Sequence, residues 1–86
     1  MMSTSQERLV RRLIKIGGKL TLPSHQGGVQ IECTRAPAGA LWCIDQLIIR
    51  KSDKVIAHYR RWQSRTLYPE VASRLDSLLA DQEVAA

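Results

Sequence analysis

The stretch Leu41-Trp42-Cys43-Ile44-Asp45-Gln46-Leu47-Ile48-Ile49-Arg50-Lys51 decides how the chain is read, because two periodicities fit it. Leu41, Ile44, Leu47 and Ile48 fall on one stripe at helical spacing, which leaves Asp45, Gln46, Arg50 and Lys51 outside. Leu41, Cys43, Leu47 and Ile49 also alternate, and the abundance of Ile suits a strand. The length of the segment and the polar pair Asp45-Gln46 favour a helix over residues 37–51. Ala36-Pro37-Ala38-Gly39 would open it, with the proline in the first turn, where its missing N–H costs nothing. The strand alternative stays open beside it and would give a hairpin over 41–62 covered by two helices.

Working toward the N-terminus, Val29-Gln30-Ile31-Glu32-Cys33-Thr34 and Lys19-Leu20-Thr21-Leu22 both alternate polar and apolar. The turn-rich run Pro23-Ser24-His25-Gln26-Gly27-Gly28 separates them, so they read as a hairpin with Leu20, Leu22, Val29, Ile31 and Cys33 inward. No Lys-Ser/Thr pair follows Gly27-Gly28, so the glycines belong to a turn rather than to a phosphate loop. Before the hairpin, Thr4 and Glu7 fit a capping box, and Leu9, Val10, Leu13, Ile14 and Ile16 recur at helical spacing. A helix over residues 5–16 follows, stopped by Gly17-Gly18. Its Arg8, Arg11, Arg12 and Lys15 form a row on one side, the usual look of a solvated face.

Toward the C-terminus, Ser52-Asp53 makes a turn and Val55, Ala57 and Tyr59 alternate with Ile56, His58 and Arg60 as in a strand. Arg61-Trp62-Gln63-Ser64 then forms a tip, and Arg65-Thr66-Leu67-Tyr68 returns. Pro69-Glu70 starts a last helix with Val71, Leu75, Leu78 and Leu79 as its buried stripe, and the tail 81–86 frays. The expected architecture is one small α+β domain spanning 1–86, with its core over about 5–80 and the order α-β-β-α-β-β-α.

With 86 residues the chain holds one core at most. Phe is absent, so aliphatic side chains must fill that core around Trp42, Trp62, Tyr59 and Tyr68. No apolar run approaches the roughly 20 residues of a membrane span, and the start lacks a secretory pattern, so a cytoplasmic protein is expected. Cys33 and Cys43 are too few for a disulfide scaffold. Their spacing lacks the close knuckle of structural zinc sites, so neither they nor His25 and His58 are expected to hold a metal. No third residue marks Cys43 and His58 as a nucleophile and its base, and Glu32 and Asp45 stand in separate elements. The expectation is therefore a binding protein without a cofactor, not an enzyme.

Charge is what distinguishes the chain. It carries thirteen Lys and Arg against eight Asp and Glu, a net +5. Residues 1–65 hold twelve basic and four acidic side chains, a net +8, whereas 66–86 hold Arg74 against Glu70, Asp76, Asp81 and Glu83, a net −3. A basic body favours polyanions. Arg60, Arg61 and Arg65 surround Trp62, with Gln63 and Ser64 between, a pattern suited to laying guanidinium groups on a phosphate backbone. On the preceding segment, which ends in Arg50-Lys51, Gln46 and Arg50 could hydrogen-bond base edges. The candidate nucleic-acid contacts are thus Gln46, Arg50, Lys51, Arg60, Arg61, Trp62, Gln63 and Arg65. Packing of Trp62 against the core edge is the plainer alternative for that residue.

Ile44-Asp45-Gln46-Leu47-Ile48, Val55-Ile56-Ala57-His58-Tyr59-Arg60 and Arg65-Thr66-Leu67-Tyr68-Pro69-Glu70 together resemble, over about residues 41–80, the back half of a winged-helix DNA-binding domain. The resemblance implies a recognition helix carrying Asp45, Gln46, Arg50 and Lys51, a wing carrying Arg60, Arg61, Gln63 and Arg65, and double-stranded DNA as partner. It further implies a transcriptional regulator or accessory factor, with the last helix available for a homodimer contact. More loosely, the order of elements is similar to the small YjhX-type toxins, which implies instead a protein-binding inhibitor module, toxin-like or encoded by a mobile element, acting on a bacterial enzyme.

Overall fold

The computed structural model describes residues 2–23 and 27–84, with side chains to Leu79, and shows a small α+β domain. Two helices and a four-stranded antiparallel sheet follow one another as α1 (Thr4–Ile16), β1 (Gly18–Leu22), β2 (Val29–Arg35), β3 (Ile44–Lys51), β4 (Lys54–Trp62) and α2 (Ser64–Val84). The sheet is a meander, with strands in the order β1-β2-β3-β4. Ser24, His25 and Gln26 of the expected first turn, and Ala85 and Ala86 of the expected tail, lie outside the described residues.

α1 forms where its pattern places it, but its cap lies one residue earlier than Thr4. Ser3 Oγ accepts from the Gln6 backbone N–H at 3.2 Å while Gln6 Oε1 accepts from the Ser3 N–H at 2.8 Å, a reciprocal box in which glutamine replaces Glu7. Gly17, at φ +79°, ends the helix by donating its N–H to the Leu13 carbonyl. The two strands of the expected first hairpin pair antiparallel, with Leu20 opposite Ile31 and Leu22 opposite Val29.

The helix expected over 37–51 is instead a loop followed by β3, which pairs with β2 on one side and β4 on the other. A β-bulge produced the false helical stripe. Thr34 pairs with Gln46 and Arg35 with Ile44, so Asp45 is an extra residue on β3 relative to β2. The bulge puts Ile44 and Leu47 on the same buried face three residues apart, a helical interval, before Ile49 resumes the interval of two. The order is accordingly α-β-β-β-β-α.

The expected return strand over 65–68 is also absent. β4 runs to Trp62, Gln63 links it to α2, and Arg65, Thr66, Leu67 and Tyr68 form the opening turns of that helix. Leu67 N–H donates to the Gln63 carbonyl, and Thr66 Oγ1 donates to the same oxygen. Leu67, Val71, Leu75 and Leu79 then make one stripe at i, i+4, i+8 and i+12, and burying Leu67 completely is what recruits residues 64–68 to the helix. Pro69 therefore sits inside α2 rather than at its start, and the expected tail from 81 is helical to Val84.

The core lies between one sheet face and the two helices. Leu22, Val29, Ile31, Cys33, Ile44, Leu47 and Ile49 supply the sheet side, and Val10, Leu13 and Ile14 with the α2 stripe supply the other. Removing such side chains from water at about 25 cal/mol per Å² is the principal stabilising term. Among the described residues no element covers the opposite sheet face, where Lys19, Glu32, Gln46, Arg50, His58 and Arg60 stand by strand alternation. Ser52 and Asp53, both at positive φ, close the β3–β4 hairpin.

Candidate functional site

The residues singled out from the sequence divide among three places. Gln46, Arg50 and Arg60 share the open sheet face. There Arg50 Nη1 donates to Glu32 Oε1 at 3.2 Å, and Lys19 Nζ lies 3.7 Å from the other oxygen of the same carboxylate. Arg50 is thus already neutralised by a neighbour. Gln46 Oε1 lies 3.2 Å from His58 Nε2, and Arg60 is exposed opposite it on β4. Lys51 stands at the far end of the sheet, paired with Lys54 beside the hairpin turn.

Arg61, Trp62, Gln63 and Arg65 cluster at the other end, where β4 passes into α2. Two of them hold structure. Gln63 donates from Nε2 to the Leu41 carbonyl and accepts the Cys43 thiol at 3.0 Å, which ties the β2–β3 loop to the β4–α2 junction. Trp62 packs edge-on against Tyr59 with ring centroids 5.6 Å apart, as the plainer alternative had it. Arg61, at φ +59°, sets its guanidinium 4.9 Å from the centre of the Trp42 ring. Cys43 and His58 have separate partners, Gln63 and Gln46. Burial raises the pKa of the Cys33 thiol, although Arg35 nearby opposes the shift. Among the described residues no three His, Cys, Asp or Glu side chains gather as metal ligands, and no helix is long and apolar enough to cross a membrane.

Arg65 belongs to a larger arrangement that sequence reading missed. A cleft of about 590 Å³ opens between the second half of α1 and the start of α2. Arg11, Lys15, Arg35 and Arg65 line it together with Ser64 and Tyr68, and Ile14 and Pro69 complete its wall. Among the described residues that line it there is no carboxylate. Among the described residues both ion pairs involve Glu32 on the open sheet face, so none of the four cleft cations is paired.

Each cation is held by its element. Arg11 and Lys15, one helical turn apart, face α2, and the Arg11 guanidinium lies 3.9 Å from the centre of the Tyr68 ring. Arg12, expected in the same row, lines the other flank of α1 with Leu9, Ile16 and Lys19. Arg35, the last residue of β2, spans the gap between the helices: its Nη1 donates to the Ile14 carbonyl and to Ser64 Oγ, both at 3.0 Å. The pairings Arg35–Ile44 and Ile44–Trp62 put β2, β3 and β4 side by side at this end, so Arg61 flanks the same region. The spacing of Arg11 and Lys15 was the signal available in the sequence; that Arg35 and Arg65 join them depends on tertiary packing.

Such an arrangement can attract and orient anions through charge-assisted hydrogen bonds, with a partly apolar wall beside them. In comparisons with family models, curated proteins and solved structures, the chain matched none.

Proposed function

We propose that the protein binds nucleic acid, with double-stranded DNA as the partner, through the basic end of the domain where α1, β2 and α2 meet. The observation that carries this reading is the convergence of Arg11, Lys15, Arg35 and Arg65 on one cleft, with no carboxylate among the described residues that line it. Unpaired cations fixed on three elements attract a phosphate backbone and release its counterions. Arg61 lies at the same end with its guanidinium over the Trp42 ring, and Arg60 stands on the open sheet face, so neither is counted among the four. The winged-helix resemblance enters in altered form, with the helix-end cations in the place of a recognition helix, while the β3–β4 hairpin turn at Ser52-Asp53 lies at the opposite end of the sheet. A regulator or accessory factor of DNA transactions is the role that fits. Affinity would come mainly from phosphates, because Arg50 is engaged by Glu32 and Gln46 by His58.

The test is fluorescence anisotropy of a labelled duplex titrated at low and at physiological salt. Micromolar binding that weakens steeply with salt is expected, and absence of binding at low salt would overturn the reading.

A second reading rests on β4. This nine-residue strand is one edge of the sheet, longer than the five-residue β1 at the other, and its Val55 and Ile56 are exposed. Such an edge can accept a strand from a protein partner or from a second copy, as an inhibitor module or a homodimer would require. Retention of a partner from lysate after nuclease treatment, and its loss on Ile56→Lys, would favour that reading.

A further inference from the structure

We infer that the α1–α2 cleft is a binding site for a terminal phosphomonoester carried on a planar or apolar body, the group shared by a free nucleotide and the 5′-phosphorylated end of a strand. This goes beyond backbone contact with a duplex, and it does not depend on it.

The cleft has a preorganised part and an adjustable part. Arg35 is anchored through Nη1 by the Ile14 carbonyl and Ser64 Oγ, each at 3.0 Å. A guanidinium has five N–H donors in a fixed fork, so donors remain for a ligand while the plane is held. Arg11 is held against Tyr68 at 3.9 Å and is restricted in the same sense. Lys15 and Arg65 are exposed and can close over an anion once it arrives. The first backbone N–H groups of α2 lie at Ser64 and Arg65, and the positive end of a helix dipole adds to the four side-chain charges.

The charge and shape of the cleft select the ligand. A phosphomonoester carries a charge of about −1.5 to −2 at neutral pH and three free oxygens, against a single negative charge on an internal phosphodiester. Two anchored arginines with a lysine and a third arginine can engage that dianion from several sides. A terminal group also enters a cleft without carrying a chain on both sides. Tyr68, Ile14 and Pro69 offer an apolar wall for the remainder of the ligand. The volume of about 590 Å³ falls within the range of small-ligand sites.

The experiment measures anisotropy of a 3′-labelled single strand bearing either a 5′-phosphate or a 5′-hydroxyl, with adenosine monophosphate and adenosine as competitors. A tenfold or greater preference for the phosphorylated strand is expected. The Lys15→Gln/Arg65→Gln variant should lose it while keeping the far-UV circular dichroism and melting temperature of the parent. Competition by adenosine monophosphate but not adenosine assigns the site to free nucleotides as well; competition by neither, with the strand preference intact, assigns it to strand ends. Equal binding of the two strands together with no competition by adenosine monophosphate would overturn the inference, whatever the variant does. A closed dumbbell duplex, which has no ends, separates this from the proposed function. Binding of the dumbbell, with neither an end preference nor competition by adenosine monophosphate, leaves duplex binding standing and removes the phosphomonoester site.

Discussion

Replacing Lys15 and Arg65 by glutamine should flatten the salt dependence of duplex binding without weakening the fold. Both side chains are exposed on helix surfaces and line the cleft, and neither has an ion-pair partner among the described residues. Each cation that neutralises a DNA phosphate contributes about 0.9 to the slope of log K against log salt, so engagement of Arg11, Lys15, Arg35 and Arg65 predicts a slope of about −3.6. Between 50 and 200 mM salt that slope amounts to roughly a 150-fold loss of affinity, and the double variant, with about half the slope, should lose only about 12-fold. Arg50→Gln is the control. Its guanidinium already donates to Glu32 at 3.2 Å, so its removal should leave the slope at the parental value. The assay is anisotropy on the closed dumbbell at four or more salt concentrations. A parental slope in Lys15→Gln/Arg65→Gln with a flattened slope in Arg50→Gln would refute the reasoning and move the interface to the open sheet face.

Three further expectations concern stability. Leu67→Ala should cost about 2–5 kcal/mol in urea unfolding, because a fully buried side chain in the opening turns of α2 leaves a cavity; a loss below 1 kcal/mol would mean that residues 64–68 do not need the core to be helical. Gly28→Ala would bring a Cβ within 2.6 Å of Thr21 Cγ2, so a loss of about 1–3 kcal/mol is expected. Thr21→Ser removes that methyl and should recover much of the loss in the double variant; failure to recover would place the strain elsewhere. Finally, burial raises the Cys33 pKa, so the folded state holds the thiol proton more tightly than the unfolded chain does. This contribution to stability is complete below the unfolded pKa, near 9.0, and is lost as pH rises through the higher folded value. The urea midpoint of the parent should therefore fall more steeply above pH 9 than that of Cys33→Ala, and parallel curves would contradict it.

Legibility in the sequence followed the regularity of each element. α1 and the first hairpin could be read because their buried residues keep one period throughout: Val10, Leu13 and Ile14 on a helical face, and Leu20, Leu22, Val29, Ile31 and Cys33 on alternate strand positions. β3 breaks its period at Asp45, and one extra residue suffices to turn a strand into the semblance of a helix. Its two-sided pairing, which sequence periodicity cannot display, settles the matter for the folded chain, since a helix there would leave β2 and β4 without their shared neighbour. Residues 64–68 were misread for the opposite reason. Pro69 is favoured in a first helical turn, and that local preference is outweighed by the burial of Leu67 one turn earlier.

The site was only half legible, and the reason bears on how basic surfaces should be read. Counting cations selected Arg50, Arg60, Arg61 and Arg65 alike, yet their surroundings separate them: Arg50 sits on a carboxylate, Arg61 lies over Trp42, and Arg65 opens onto a cleft with three other cations. A charge set 3.2 Å from a carboxylate presents less net positive potential to a phosphate than an isolated one, because the neighbouring anion offsets it. Unpaired cations held close together have the opposite tendency: their mutual repulsion is relieved when an anion enters. Arg35 is the clearest case. In the sequence it follows the alternating stretch that ends at Thr34 and attracts no notice. In the fold it links the C-terminal half of α1 to the first residue of α2 through two hydrogen bonds. It both joins the walls of the cleft and contributes to its charge, so the packing that closes this end of the domain also prepares it to receive an anion.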